Sequence, residues 1–278
     1  MNANVARRAR SLSITASWLA LAATGAVPAR VDGQRTGGTP ASASSGSSGW
    51  TTLEGRASVD GLSGGHAGWN EQSLRLDRRA TARSGVSVGV QRLSRFGRDD
   101  RRVDFDASVA LGRRVTAGVE GEASPSHAVV ARAGGAVRLH ASLGGGWGMQ
   151  LRGGERRFDA ATVRAGSATL ERYWGRWLAS YAFTGGRVAS ATSTAGHSLR
   201  LTRFAGERGA VTASVSGGRE AESLGDAGVR VADVRAVAVW GDRPVSSRFA
   251  LVYGGAVTRQ GALYSRRTVS LGVRARLE

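Results

Sequence analysis

Four carboxylates, Asp104, Asp106, Glu120 and Glu122, recur at every second residue in two neighbouring stretches, with Arg102, Arg132, Arg138 and Arg152 spaced around them. In extended chain, residues two apart project from one face, so pairing the two stretches would bring four negative charges together. Such a group repels itself unless guanidiniums answer it. The chemistry this suggests is electrostatic: either a charged constriction that selects solutes, or an ion-pair network that holds adjacent strands together. His197 beside Ser198 offers the residue types of a nucleophile and its base. Neighbours on a strand face opposite ways, however, and no third group is placed to orient the imidazole. Gly144-Gly145-Gly146 has no following Lys-Ser/Thr and reads as a turn rather than a phosphate cradle. No catalytic, cofactor-binding or metal-ligating set is expected.

What must position these charges is a chain of period two. Val103, Phe105, Ala107, Val109 and Leu111 alternate with Asp104, Asp106, Ser108 and Ala110, and Val269, Leu271, Val273, Ala275 and Leu277 alternate with Ser270, Gly272, Arg274 and Arg276. Fourteen such segments are expected, at 51–59, 69–80, 84–94, 101–111, 113–123, 130–142, 146–158, 161–173, 176–186, 195–204, 209–220, 229–240, 247–259 and 266–277. Most are about twice the usual soluble strand and match the roughly 9 to 11 residues that a tilted strand needs to cross a bilayer. One face of each is apolar. The other carries charges, including Arg75, Asp77, Arg152, Arg200 and Arg274, and no helical period supplies a layer to cover the apolar face. Closing the sheet on itself, apolar face to lipid and charged face to a lumen, removes the difficulty. The expected fold is all-β, a closed antiparallel transmembrane barrel of about fourteen strands over 50–278, or twelve if the two weakly alternating N-terminal segments are left out.

The start of the chain is consistent with export. Arg7, Arg8 and Arg10 precede a short apolar run ending in small residues, which reads as a signal peptide over 1–29. Residues 30–49 read as a disordered Gly/Ser-rich linker. The 278 residues contain no cysteine, so disulfides and thiolate metal sites are excluded, and the formal charge is +18, carried by arginine. An exported barrel with no nucleic-acid-binding motif points this charge away from nucleic acid and towards outer-membrane lipids and lipopolysaccharide, whose phosphates Arg95, Arg98, Arg101 and Arg102 are placed to grip. With both termini periplasmic, long links such as 60–68, 187–196 and 221–228 face out, and the expected location is the bacterial outer membrane. Trp50, Trp147, Trp174, Trp177 and Trp240 then fall beside the inner links, an aromatic belt at headgroup level. Trp69, Phe96, Phe158 and Tyr264 fall at the opposite ends. His66 and His127 fall in outer links, and His140 near the inner end of a strand.

The block LGGGWGMQLRGGERRFDAATV (143–163) followed by LERYWGRWLASYAF (170–183) resembles the YaiO family of outer-membrane β-barrel proteins, in its glycine turn, Trp147, Arg156-Arg157-Phe158 and the Glu-Arg-Tyr-Trp-Gly order. The resemblance implies an outer-membrane barrel and supplies no catalytic set to carry over. With the residues it leads to a non-enzymatic reading: a narrow channel or structural barrel, associated with polysaccharide or small-solute passage. The alternative is an outer-membrane lipid- or lipopolysaccharide-modifying enzyme. Ser270, Gly272, Ala275 and Leu277 also resemble the terminal signal read by the barrel insertion machinery, although the chain ends on Glu278 rather than on an aromatic.

Overall fold

The computed structural model describes residues 49–277 apart from 65–67, 82, 96, 129, 160, 189–191, 206–208 and 224–228. The leader and linker expected over 1–48, together with His66 and Phe96, lie outside the described residues. The strands are β1 (Trp50–Leu62), β2 (Trp69–Thr81), β3 (Ser84–Arg95), β4 (Arg98–Ala110), β5 (Val115–Ser126), β6 (Ala133–Gly144), β7 (Trp147–Arg157), β8 (Thr162–Trp174), β9 (Trp177–Val188), β10 (Thr192–Ala205), β11 (Gly209–Ser223), β12 (Val229–Pro244), β13 (Phe249–Gln260) and β14 (Tyr264–Leu277). Each pairs antiparallel with its sequence neighbours, and β1 pairs with β14 from Thr51↔Leu277 to Leu62↔Arg266. The sheet is a closed barrel of fourteen strands, not twelve.

Alternation decides which face each side chain takes. Val86, Val88 and Val90 of β3, Val103 and Phe105 of β4, and Val269, Leu271 and Val273 of β14 point outward and are each roughly half exposed. An outer wall of this kind is stable only against hydrocarbon. It makes the chain a membrane-spanning barrel, and single-chain antiparallel barrels with such an apolar band belong to the bacterial outer membrane. No helix among the described residues is long and apolar enough to cross a membrane.

The strands outrun the expected segments at several ends. Residues 60–62, 192–194 and 221–223, expected in links, continue the ladders of β1, β10 and β11, because backbone pairing does not need apolar side chains once a register is set. At the end that holds the termini the turns are tight. Gly145 (φ 56°) and Gly146 (φ 83°) both lie in the left-handed region, which suits a two-residue hairpin turn. A Cβ on Gly146 would also lie 2.4 Å from the Tyr173 carbonyl oxygen. At this rim Trp147 and Trp174 point outward, Trp174 pairs with Trp177 across the next turn, and Arg172 and Arg203 lie over Trp147 (5.0 Å) and Trp177 (5.7 Å).

A closed ladder has no edge from which unfolding can begin. We expect unheated protein in dodecyl sulfate to migrate faster than boiled protein, and identical migration of the two would contradict closure.

Candidate functional site: the charged lumen

Register brings the sequence-distant charges together. Asp104 pairs with Glu122 and Asp106 with Glu120 across β4 and β5, all four facing inward. Around them the arginines of neighbouring strands reach in. Arg75 of β2 binds Asp104 at 2.9 Å, Arg102 binds Glu122 at 3.2 Å, and Arg156 of β7 binds Glu122 from the other side. Arg138 of β6 bridges Glu120 (2.9 Å) and Asp106 (2.9 Å from Nη2), and Arg152 of β7 holds Glu120 through Nε (3.1 Å) and Nη2 (2.7 Å). Such forked contacts are the strong form of a charge-assisted hydrogen bond. Each of the four repelling acids is thereby answered by at least one guanidinium, in contacts that reach from β2 to β7.

Two inward glycines make room for it. A Cβ at Gly118 would stand 2.6 Å from Nε of Arg138, and one at Gly134 would stand 2.7 Å from Oε1 of Glu122. The ladder thus leaves gaps where its neighbours' side chains lie flat. Where the barrel closes, a second group forms: Arg274 of β14 binds Glu54 of β1 at 2.7 Å and Asp242 of β12 at 3.5 Å.

The opposite wall is built of small residues. Inward positions of β9 to β13 include Ala182, Ser198, Ser216, Ala238 and Ala256, and the buried hydroxyls of Thr202 and Thr212 bond each other at 2.8 Å. Most long charged side chains thus stand on β1 to β7, while β9 to β13 turn mainly short ones inward, Arg200, Trp240 and Asp242 being the larger exceptions. Between β1–β4 and β12–β14 lies a chamber of about 90 Å³ lined by Arg56, Glu71, Arg75, Ala238, Trp240 and Arg266, among others. That is room for a few waters or a small solute.

The end away from the termini is narrowed by a stacked group. The indole of Trp69, 2% exposed, meets Tyr264 edge-on at 6.0 Å and lies between the guanidiniums of Arg95 (4.8 Å) and Arg266 (5.1 Å). Asp100, fully buried, accepts from the backbone of Ala128 (2.9 Å) and Val130 (3.0 Å), and Val130 packs on inward Leu93. The link between β5 and β6 is thereby bent into the mouth.

Several expected positions are corrected. Arg132 is not in the lumen network: β6 starts at Ala133, and Arg132 sits exposed in the preceding link. Trp240 does not stand in the aromatic belt, because β12 continues to Pro244 and the pairing of Trp240 with Thr212 and Gly254 turns it into the lumen. Trp50, paired with Arg79, takes the same inner parity. At the other end Trp69 and Tyr264 face inward rather than towards lipid, and Phe158 packs against inward Val163 and Val188. Arg95 and Arg102 face the lumen, away from any lipid headgroup. Arg102, Asp104, Asp106, Glu120, Glu122, Arg138 and Arg152 do face one another. Arg75 and Arg156 belong with them, while Glu54 and Asp242 meet Arg274 at the closing seam, a pairing only a closed register could reveal.

Among the described residues the histidines form no catalytic group. His197 points outward, its Nδ1 2.5 Å from the Tyr181 hydroxyl and its ring 5.2 Å from Phe183, while Ser198 faces the lumen. His140 meets Glu171 at 3.3 Å, and His127 meets Asp159 of the neighbouring link at 3.0 Å. Among the described residues no cluster could hold a metal ion.

Glu122 is the carboxylate most enclosed by arginines, 9% exposed between Arg102 and Arg156. Breaking a buried pair leaves an uncompensated charge, so Glu122→Ala should cost about 3 kcal/mol, and Glu122→Gln less. Urea unfolding of the refolded barrel measures this, and an unchanged midpoint for Glu122→Ala would show that the arginines are satisfied without it.

No protein-family profile matches the chain, and no curated protein matches it. Solved structures do. A monoaromatic hydrocarbon channel, CymD, aligns over 82% of this chain and 87% of its own at 9% identity with a TM-score of 0.56. A bacterial polysaccharide outer membrane secretin aligns over 82% and 98% at 7% identity with a TM-score of 0.53. At such identities the likeness is one of fold, that of outer-membrane barrels.

Proposed function

We propose that the chain is a non-enzymatic outer-membrane barrel of the YaiO type, acting as a narrow, charge-lined channel for small polar solutes. The observation that carries this reading is the chamber of about 90 Å³ inside the barrel, lined by Arg56, Arg75 and Asp104 on one side and by Ala236, Ala238 and Ala256 on the other. A purely structural barrel could fill both walls. Here β12 and β13 turn mainly small residues inward, and a chamber with polar lining is left beside Arg75 and Asp104. The YaiO reading rests on the 143–163 and 170–183 blocks, whose Trp147, Trp174 and Trp177 ring one rim while Arg156 enters the lumen network. The cargo of the similarly folded channels supplies no solute, since they share only architecture with this chain.

The location follows from the same features: a leader over 1–29, termini on the periplasmic side and a closing strand, β14, that carries Ser270, Gly272, Ala275 and Leu277 for the insertion machinery. Nucleic acid has no place in this reading. The lipid partners are those of the outer membrane, lipopolysaccharide among them.

Inside, acids and arginines nearly balance, and in a low-dielectric wall a small basic excess raises the local anion concentration. Protein reconstituted in planar bilayers should show small conductance with weak anion preference, and Arg138→Glu or Arg152→Glu should shift it towards cations. Large, unselective conductance would refute the paired lumen. No conductance at all would refute the channel.

A further inference from the structure

The lumen answers its arginines with carboxylates, but one part of the outer wall does not. On β7 to β9, at the end away from the termini, Glu155, Arg164 and Arg187 occupy one outward row, with Arg157 next to them. Glu155 accepts Nε of Arg157 at 2.8 Å and Nε of Arg164 at 2.7 Å. One carboxylate thus sets two guanidiniums side by side, and their side chains remain 72% and 77% exposed. Arg187 stands opposite Arg164 across the β8–β9 pair, so three cations share one anion.

About 7 Å nearer the membrane centre, the next outward row is Gly153, Gly166 and Gly185, which are paired across the same strands and have no side chains. A Cβ on Gly153 would meet nothing within 4 Å, and one on Gly166 only the Arg152 carbonyl oxygen at 3.4 Å. Beyond lie Leu151, Ala168 and Phe183 in the apolar band. The result is an open groove of about 930 Å³ with Glu155, Arg157, Arg164 and Arg187 at one end and glycine backbone along its floor.

We propose that this groove binds the phosphorylated head of lipopolysaccharide, with the phosphate on Arg157, Arg164 and Arg187 and an acyl chain laid on the glycine floor towards Leu151 and Phe183. Guanidiniums bind phosphate oxygens in pairs. A cation triad at headgroup depth, opening directly onto a trough in the hydrocarbon zone, matches an amphiphile rather than a free anion. The choice of lipopolysaccharide over a glycerophospholipid rests on the orientation in the proposed function, which puts this end in the outer leaflet. The residues are not those the sequence suggested: of Arg95, Arg98, Arg101 and Arg102, Arg95 and Arg102 face the lumen, and all four lie on β3 and β4, away from this groove.

The test uses the full mature chain refolded in detergent and titrated with purified lipid A, its dephosphorylated form and phosphatidylglycerol, with bound lipid read by native mass spectrometry. Lipid A should bind at least ten-fold more tightly than either of the others. Arg164→Gln with Arg187→Gln should weaken it about ten-fold, and Gly166→Leu, which fills the floor without touching a charge, should weaken it as well. Equal binding of phosphatidylglycerol, or unchanged lipid A binding in both variants, would overturn the site. Orientation is read separately. The chain has no native cysteine, so Ala128→Cys in the link between β5 and β6 reports which side is exposed. Labelling of intact cells by an impermeant maleimide supports the outer-leaflet assignment. Absence of labelling overturns the orientation and the choice of lipopolysaccharide with it, whereas a labelled barrel that fails to discriminate lipids sinks the groove alone. Single-channel conductance of Gly166→Leu should stay at the wild-type value, because the residue faces away from the lumen.

Discussion

In a hydrocarbon layer an unpaired backbone amide or carbonyl has no water to turn to, and each one left exposed costs several kcal/mol. The pairing of β1 with β14 is therefore the contact on which the rest depends. It joins the two ends of the described chain and turns a sheet with two bare edges into a ladder with none. Once it forms, the inside and the outside are fixed for every strand. The period-two pattern of a single segment then acquires a meaning it lacks alone: Val269 and Leu271 become lipid-facing and Ser270 and Gly272 lumen-facing because β14 has partners on both sides.

Closure also makes the charged interior tolerable. Burying a carboxylate costs far more than an exposed ion pair returns unless its oxygens are met by donors. Here Glu120 takes both Arg138 and Arg152, and Glu122 takes Arg102 and Arg156. The arginines come from strands on either side, so the network ties β2 to β7 laterally as a core would in a soluble domain. The inward glycines and the small residues of β9 to β13 give it volume. Interior packing in this barrel is thus polar and one-sided, with a chamber where the long side chains end. The outer wall follows the reverse rule. Its apolar side chains need no packing partner, and its departures from that rule, His197 against Tyr181 and Phe183 and the arginine-rimmed groove, stand out for that reason.

The period-two segments, their order and the meeting of Asp104 and Asp106 with Glu120 and Glu122 on one face could be read from alternation alone, because side-chain direction in a strand repeats every two residues. So could the turn at Gly175-Arg176 and the outward ring of Trp147, Trp174 and Trp177. The register that pairs Asp104 with Glu122 and Asp106 with Glu120 came from the ladder. What alternation could not supply was the phase at strand ends. Trp240 looks like a rim residue if its strand stops there, and a lumen residue once β12 runs on to Pro244. Trp69 and Tyr264 sit near strand ends, as a belt would, yet their inward parity stacks them on each other. Arg132 was lost to the lumen by a strand that begins one residue after it.

Local sequence thus determined the class and the two-faced character of the wall, since these depend on residues a few positions apart, while the closed ladder decided between twelve strands and fourteen. Tertiary structure decided which arginines meet which acids across the closing seam. It placed Arg274 between Glu54 and Asp242, and it gathered Gly153, Gly166 and Gly185 into one bare row beneath Arg164 and Arg187. Those contacts join residues from different strands, and their geometry is fixed by the shared register of a closed ladder, a property of all fourteen strands together that no single segment encodes.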